Sequence, residues 1–118
     1  TAAPAANLYA FDPSELKFNF TKGSPKQIAW ATDIYQQATD QIADGFRQMQ
    51  VGNRIPKAEH ALFARAYRDA WDIIKDYAAK TTDASKVIND RFGFLGKDMW
   101  HWTHDVVYYY KKHGRWWK

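Results

Sequence analysis

Apolar residues recur between positions 28 and 49 in steps of three and four: Ile28, Ala31, Ile34 or Tyr35, Ala38, Ile42, Phe46 and Met49. An α-helix turns once every 3.6 residues, so these side chains fall on one stripe about six turns long. The start is equally legible. Ser24 offers a hydroxyl to orphan backbone N–H groups, Pro25 suits the first helical position, and Gln27 completes an S-x-x-Q capping box. Val51-Gly52-Asn53 supplies the stop. A second stripe predicts a helix over about 56–80: Leu62, Ala66, Ala70, Ile73 or Ile74 and Tyr77, widened by Phe63, Tyr67 and Trp71. Its alanines allow close approach, so the two long helices are expected to pair as an antiparallel hairpin.

The remaining chain is interrupted more often. A short helix is predicted over 84–91, capped by Thr82 or Asp83, and Gly93 and Gly96 break the chain around Phe94-Leu95. Residues 97–113 fit a fourth helix with Met99, Trp102, Val106 and Tyr109 or Tyr110 on one face. The β-branched and aromatic run at 106–110 leaves a strand as the competing reading. Residues 1–23 read as an extended arm. Within it 16–21 alternates apolar and polar but has no second strand to pair with, so the arm is expected to lie over the helices. Residues 1–6 lack the basic and apolar regions of an intact signal peptide and read as a frayed terminus. The expected fold is therefore all-α, a three- to four-helix bundle. Its spine is the long antiparallel hairpin, with residues 1–23 as the arm and 24–118 as a single helical domain.

A chain of 118 residues is long enough to bury one core and too short for two. The absence of cysteine excludes a disulfide scaffold and a thiolate metal centre. No apolar run approaches the roughly 20 residues of a membrane-spanning helix, so no membrane partner is expected. Charge adds the most. Residues 1–90 balance, whereas 91–118 carry Arg91, Lys97, Lys111, Lys112, Arg115 and Lys118 against only Asp98 and Asp105, which accounts for the whole net charge of +4. The same stretch holds nine of the aromatic residues, counted from Phe92 to Trp117.

Two segments resemble a known group. Gly23-Ser24-Pro25-Lys26-Gln27-Ile28-Ala29-Trp30-Ala31 resembles the "GSxKQIAWA" opening of small helical proteins carried by bacteriophages and other bacterial mobile elements. Asp83-Ala84-Ser85-Lys86-Val87-Ile88-Asn89-Asp90-Arg91 resembles the "dAxxWIdnR" element that follows it there, with Val87 in place of the usual aromatic. The basic, aromatic end of this chain has no counterpart in that pattern. The resemblance implies a setting, an accessory protein acting in the cytoplasm of a bacterial host, and it implies no active site. Capping and packing alone explain the opening motif. Exposure of Lys26 and Trp30 would mark it as something more.

Candidate chemistry is sparse. His101, His104 and Asp105 stand three and four residues apart on one helix, a spacing that could ligate a metal. Three converging ligands and outer support are normally needed, so a surface His–Asp pair is the expected reading and no metal or cofactor is assigned. Asp69, Asp72 and Asp76 form a carboxylate row that reads as a solvated face interrupted by Arg65, Arg68 and Lys75. No nucleophile elbow, phosphate-cradling glycine loop or H-E-x-x-H occurs, so catalysis is not expected.

The last eleven residues interleave Lys111, Lys112, Arg115 and Lys118 with Tyr108, Tyr109, Tyr110, Trp116 and Trp117. Cations neutralise phosphates and exposed rings stack on unpaired bases. The leading expectation is a non-enzymatic phage or mobile-element accessory protein that binds nucleic acid, DNA rather than RNA. In that reading Lys111, Lys112, Arg115 and Lys118 contact phosphate, while Trp116, Trp117 and Tyr108 stack. Trp, Tyr and Arg also dominate protein interfaces, so the alternative is a binder that inhibits a host enzyme or defence complex, in the manner of an anti-CRISPR. A third reading closes the core with Trp116 and Tyr109 or Tyr110. The wide helical stripes are also compatible with a homodimer.

Overall fold

The computed structural model describes residues 8–118, so the frayed terminus expected at 1–6 lies outside the described residues. Among those described, four α-helices account for most of the chain: α1 Pro25–Val51, α2 His60–Lys80, α3 Ala84–Asn89 and α4 Met99–His113. Single 3-10 turns stand at Pro13–Glu15, Lys57–Glu59 and Phe94–Gly96. No strand is present among the described residues, and none of their helices is long and apolar enough to cross a membrane.

The capping box forms as the sequence predicts. Ser24 Oγ accepts from the Gln27 backbone N–H (3.2 Å), and Gln27 Oε1 accepts from that of Ser24 (3.0 Å). Helix α1 lies antiparallel to α2, because Tyr35 meets Tyr77 near one end of the contact (6.3 Å between centroids) and Phe46 meets Tyr67 near the other (5.8 Å). Helix α4 returns antiparallel to α2, with Phe63 against His104 and Glu59 against Lys111. Tyr35, Ala38, Ile42, Tyr67, Ala70 and Ile74 are fully or almost fully buried and form the centre of the core.

The two apolar faces are buried over most of their expected members, with differences at their margins. On α2 the expected Phe63, Ala66, Tyr67, Ala70, Trp71 and Ile74 are buried, while Leu62, Ile73 and Tyr77 are half-buried. On α4 Met99 and Val106 are buried as expected and Thr103 and Val107 join them, whereas Trp102, Tyr109 and Tyr110 are half-buried. Thr103 tolerates burial because its hydroxyl donates to the Trp100 carbonyl (2.9 Å). Residues 106–110 are helical, so the strand reading is not realised. Asp98 decides this locally, since its carboxylate accepts from the Trp100 and His101 N–H groups and caps α4.

From Leu8 onward the arm is laid over the helices, with one 3-10 turn in it. Phe11 stacks on Phe46 (5.8 Å) and meets Trp71 edge-on (4.8 Å), and Phe18 stacks on Tyr35 (5.3 Å). Arg68 donates to the Leu8 and Ala10 carbonyls, Lys75 pairs with Glu15 (3.0 Å), and Tyr9 O–H donates to Nδ1 of buried His60 (2.8 Å). The arm ends in a parallel bridge between Lys22 and Asp83, where Thr21 N–H donates to Thr82 O (2.9 Å) and Ala84 N–H to Lys22 O (3.0 Å).

Candidate nucleic-acid interface

Helix α4 stops at Gly114, which adopts φ 69° and ψ 14° and donates its N–H to Tyr110 O (2.8 Å). That left-handed conformation reverses the chain, and a residue with a Cβ would hold it only under strain. The reversal sends residues 115–118 back along the groove between α2 and α4. There Trp116 Nε1 (2.5 Å) and Trp117 Nε1 (3.0 Å) both donate to Oδ2 of Asp69, and Lys118 Nζ lies 3.4 Å from Oδ1. Asp69 is buried. Burying a carboxylate is costly unless it is paired and hydrogen-bonded, and two indole donors with an ammonium group meet that need.

The rings are used as well. The Arg65 guanidinium covers the face of Trp116 (4.2 Å) while Tyr110 meets it edge-on (5.9 Å). Trp117 packs edge-on against Trp102 (5.5 Å) and Lys118 lies over it (5.9 Å). The tail is thus a hook clipped to α2. Of the seven residues singled out as a contact surface, the structure holds Trp116, Trp117 and Lys118 on Asp69 and pairs Lys111 with Glu59. Tyr108, Lys112 and Arg115 are left facing solvent, and Tyr108 is 66% exposed. Among the described residues neither Lys112 nor Arg115 has an ion-pair partner.

A polar cleft of about 260 Å³ lies beside this surface. Arg54, Glu59, His104, Tyr108 and Lys111 line it, over an apolar floor that includes Phe63. Arg54 rests on the ring of Trp100 (4.8 Å), which holds a further exposed cation near Tyr108 and Lys111. Nothing in the spacing of residues 108–118 points to Arg54, Arg65 or Asp69. These come from α2 and the turn before it, and only the antiparallel packing of α2 and α4 brings them to the tail.

The expected His–Asp pair changes partner. His101 Nδ1 lies 2.9 Å from Asp98, not Asp105, and His104 Nδ1 donates to the Trp100 carbonyl (2.7 Å). Burial pushes the Asp98 carboxyl up, but the bonds from His101 and Trp100 outweigh it and hold the group below its ordinary range. Among the described residues no three His, Asp or Glu side chains converge on a cation position. The carboxylate row on α2 is likewise divided. Asp69 is covered by the tail, whereas Asp72 and Asp76 pair with Lys75 and Lys80 and stay exposed, as a solvated face would. In comparisons with known proteins, no family model, no curated protein and no solved structure matches this chain.

Proposed function

We propose that this chain is a non-enzymatic accessory protein of a phage or mobile element that binds nucleic acid at the C-terminal end of α4. The observation that carries the reading is the hook. It holds the segment that carries exposed Arg115, while α4 itself sets exposed Lys112 one turn from the exposed ring of Tyr108, with Arg54 across the cleft from Tyr108. Cations held in place on a rigid element bind phosphate without first being ordered. Roles within the tail divide accordingly. Lys112, Arg115 and Arg54 contact phosphate, and Lys111 joins them by leaving Glu59. Tyr108 is the stacking platform, Trp117 offers an edge, and Trp116 and Lys118 position the tail.

The test is a fluorescence-anisotropy titration of labelled single-stranded and duplex DNA at about 50 and 200 mM salt. Binding should saturate at low salt and weaken steeply at high salt. The triple variant Lys111→Ala/Lys112→Ala/Arg115→Ala should bind at least tenfold more weakly, with a shallower salt slope. Tyr108→Ala should weaken single strands by about five- to a hundredfold, corresponding to roughly 1–3 kcal/mol of stacking, and duplex much less. The reading fails if low-salt binding is absent or the triple variant binds as the parent does.

A further inference from the structure

A second exposed surface lies where the N-terminal part of α1 meets the turn after α3, near the C-terminal end of α2. Trp30 stands off the buried stripe of α1 and is 49% exposed, and Phe92 is 85% exposed. Arg91 lies between them, its guanidinium 5.0 Å from the Trp30 ring centre and 4.5 Å from that of Phe92. One Arg91 nitrogen donates to Ile88 O (2.6 Å), and no carboxylate among the described residues pairs with the charge. Lys26, one turn before Trp30 on the same face of α1, is also exposed and unpaired. The nearest carboxylate in sequence is engaged elsewhere, since Asp90 accepts from Tyr77 O–H (2.7 Å) and pairs with Lys86 (2.9 Å).

The same turn borders an apolar pocket of about 240 Å³, formed by Ile73, Tyr77, Asp90, Phe94 and Leu95. Its walls are almost wholly carbon, and its volume admits one large apolar side chain. Trp, Phe and Arg exposed together are the residue types that concentrate binding energy at protein interfaces.

Size and charge select the occupant. Trp30 and Phe92 together present roughly 300 Å² of ring surface. A stable dimer face needs about 800 Å² from each partner, so a second copy of this chain is a poor match and a short segment a good one. Arg91 and Lys26, exposed without ion pairs among the described residues, outnumber Asp33 here, and Arg91, held between the two rings, asks for a carboxylate. A nucleic-acid strand carries a charge at every nucleotide and would meet Asp33, one turn beyond Trp30, and Asp90 beside Arg91. A peptide can place one or two carboxylates and leave the rest neutral.

We infer that Trp30, Arg91 and Phe92 form a docking site for a short acidic segment of a partner protein. The segment sets a carboxylate on Arg91 and an apolar side chain in the pocket between Ile73 and Phe94. This surface is separate from the tail and does not depend on nucleic-acid binding.

The experiment is selection of a random twelve-residue peptide library on the immobilised full chain, followed by anisotropy titration of the recovered peptides. Enriched sequences should combine Asp or Glu with Leu, Phe or Trp. Their binding should fall at least tenfold in Trp30→Ala and in Arg91→Gln, and stay unchanged in the Lys111/Lys112/Arg115 triple variant. Melting curves for each variant separate lost binding from lost fold, and Phe92→Ser, at a nearly bare position, serves as the variant least able to disturb folding. No enrichment, enrichment of basic peptides, or binding indifferent to all three substitutions would overturn the inference. So would single-stranded DNA whose binding drops in Arg91→Gln but not in the tail variant, which would assign the site to nucleic acid.

Discussion

Tyr35 is wholly buried, and its hydroxyl has no hydrogen-bond partner among the described residues. An unpaired buried hydroxyl forfeits its bonds to water, so Tyr35→Phe should leave stability unchanged or raise it by up to about 1 kcal/mol in urea unfolding. Burial also pushes the Tyr35 phenol up to about 12. A folded chain that holds this proton more tightly than the unfolded one is stabilised fully below pH 10 and loses that stability as pH rises from 10 to 12, by about 2–3 kcal/mol. Tyr35→Phe should therefore flatten part of the alkaline limb of the stability profile. Part remains, because burial also raises Tyr67, and burial and the bond to Asp90 raise Tyr77. An alkaline limb identical in parent and variant would contradict this account. Asp69 makes the opposite case, a buried polar group with every partner in place. Asp69→Asn keeps the shape and removes the charge, so it should cost about 2–3 kcal/mol and red-shift tryptophan emission as the indoles let go. Unchanged emission would mean the hook is not held there. Neither behaviour is legible in the sequence, where Tyr35 is one more member of a stripe and Asp69 one more member of a carboxylate row.

At the scale of helices, the sequence is most informative where a signal is local. The Ser24–Gln27 box needs four consecutive residues, and it forms with both bonds. The two long helices start or stop close to the expected positions for the same reason, as periodicity and capping act within a few residues. Which residue of a stripe faces the core is not local. It depends on how α2 and α4 rotate against their neighbours, which buries Thr103 and Val107 beside Met99 and Val106 and leaves Leu62 and Trp102 half-buried. Gly45 shows the missing information. It reads as a weak point inside α1, yet a Cβ there would lie 2.2–2.7 Å from the ring atoms of Tyr67, so the absent side chain is what lets α1 and α2 approach. Gly45→Ala should cost at least 2 kcal/mol or so despite alanine's better helix propensity, by forcing Tyr67 out of place. A stabilised Gly45→Ala, read by thermal melting, would show that the hairpin packs differently.

At the scale of the whole molecule, both the arm and the tail are tied by polar contacts to α2. The arm fastens to His60, Arg68 and Lys75, and the tail fastens to Arg65 and Asp69. The arm therefore belongs to the core, and Phe18→Ala, which strips a ring from Tyr35, should lower stability by about 2 kcal/mol within a single cooperative transition. An unshifted urea midpoint would make the arm an ornament. The candidate nucleic-acid surface was legible as composition, in the charge and rings crowded into residues 91–118. The division of labour within it was not, because Asp69 and Arg54 join it only through packing between segments some 45–60 positions apart. The bridge between Lys22 and Asp83 has a consequence for synthesis. A ribosome adds roughly 5–20 residues each second, so the arm leaves the tunnel about 3–12 s before the backbone it must pair with. Through that interval the bridge is unmade, and Phe18 and Phe20 have only Tyr35 of α1, about 15–17 residues behind them, to shelter against. The tail faces no such wait, since α2 is already complete when Trp116 emerges.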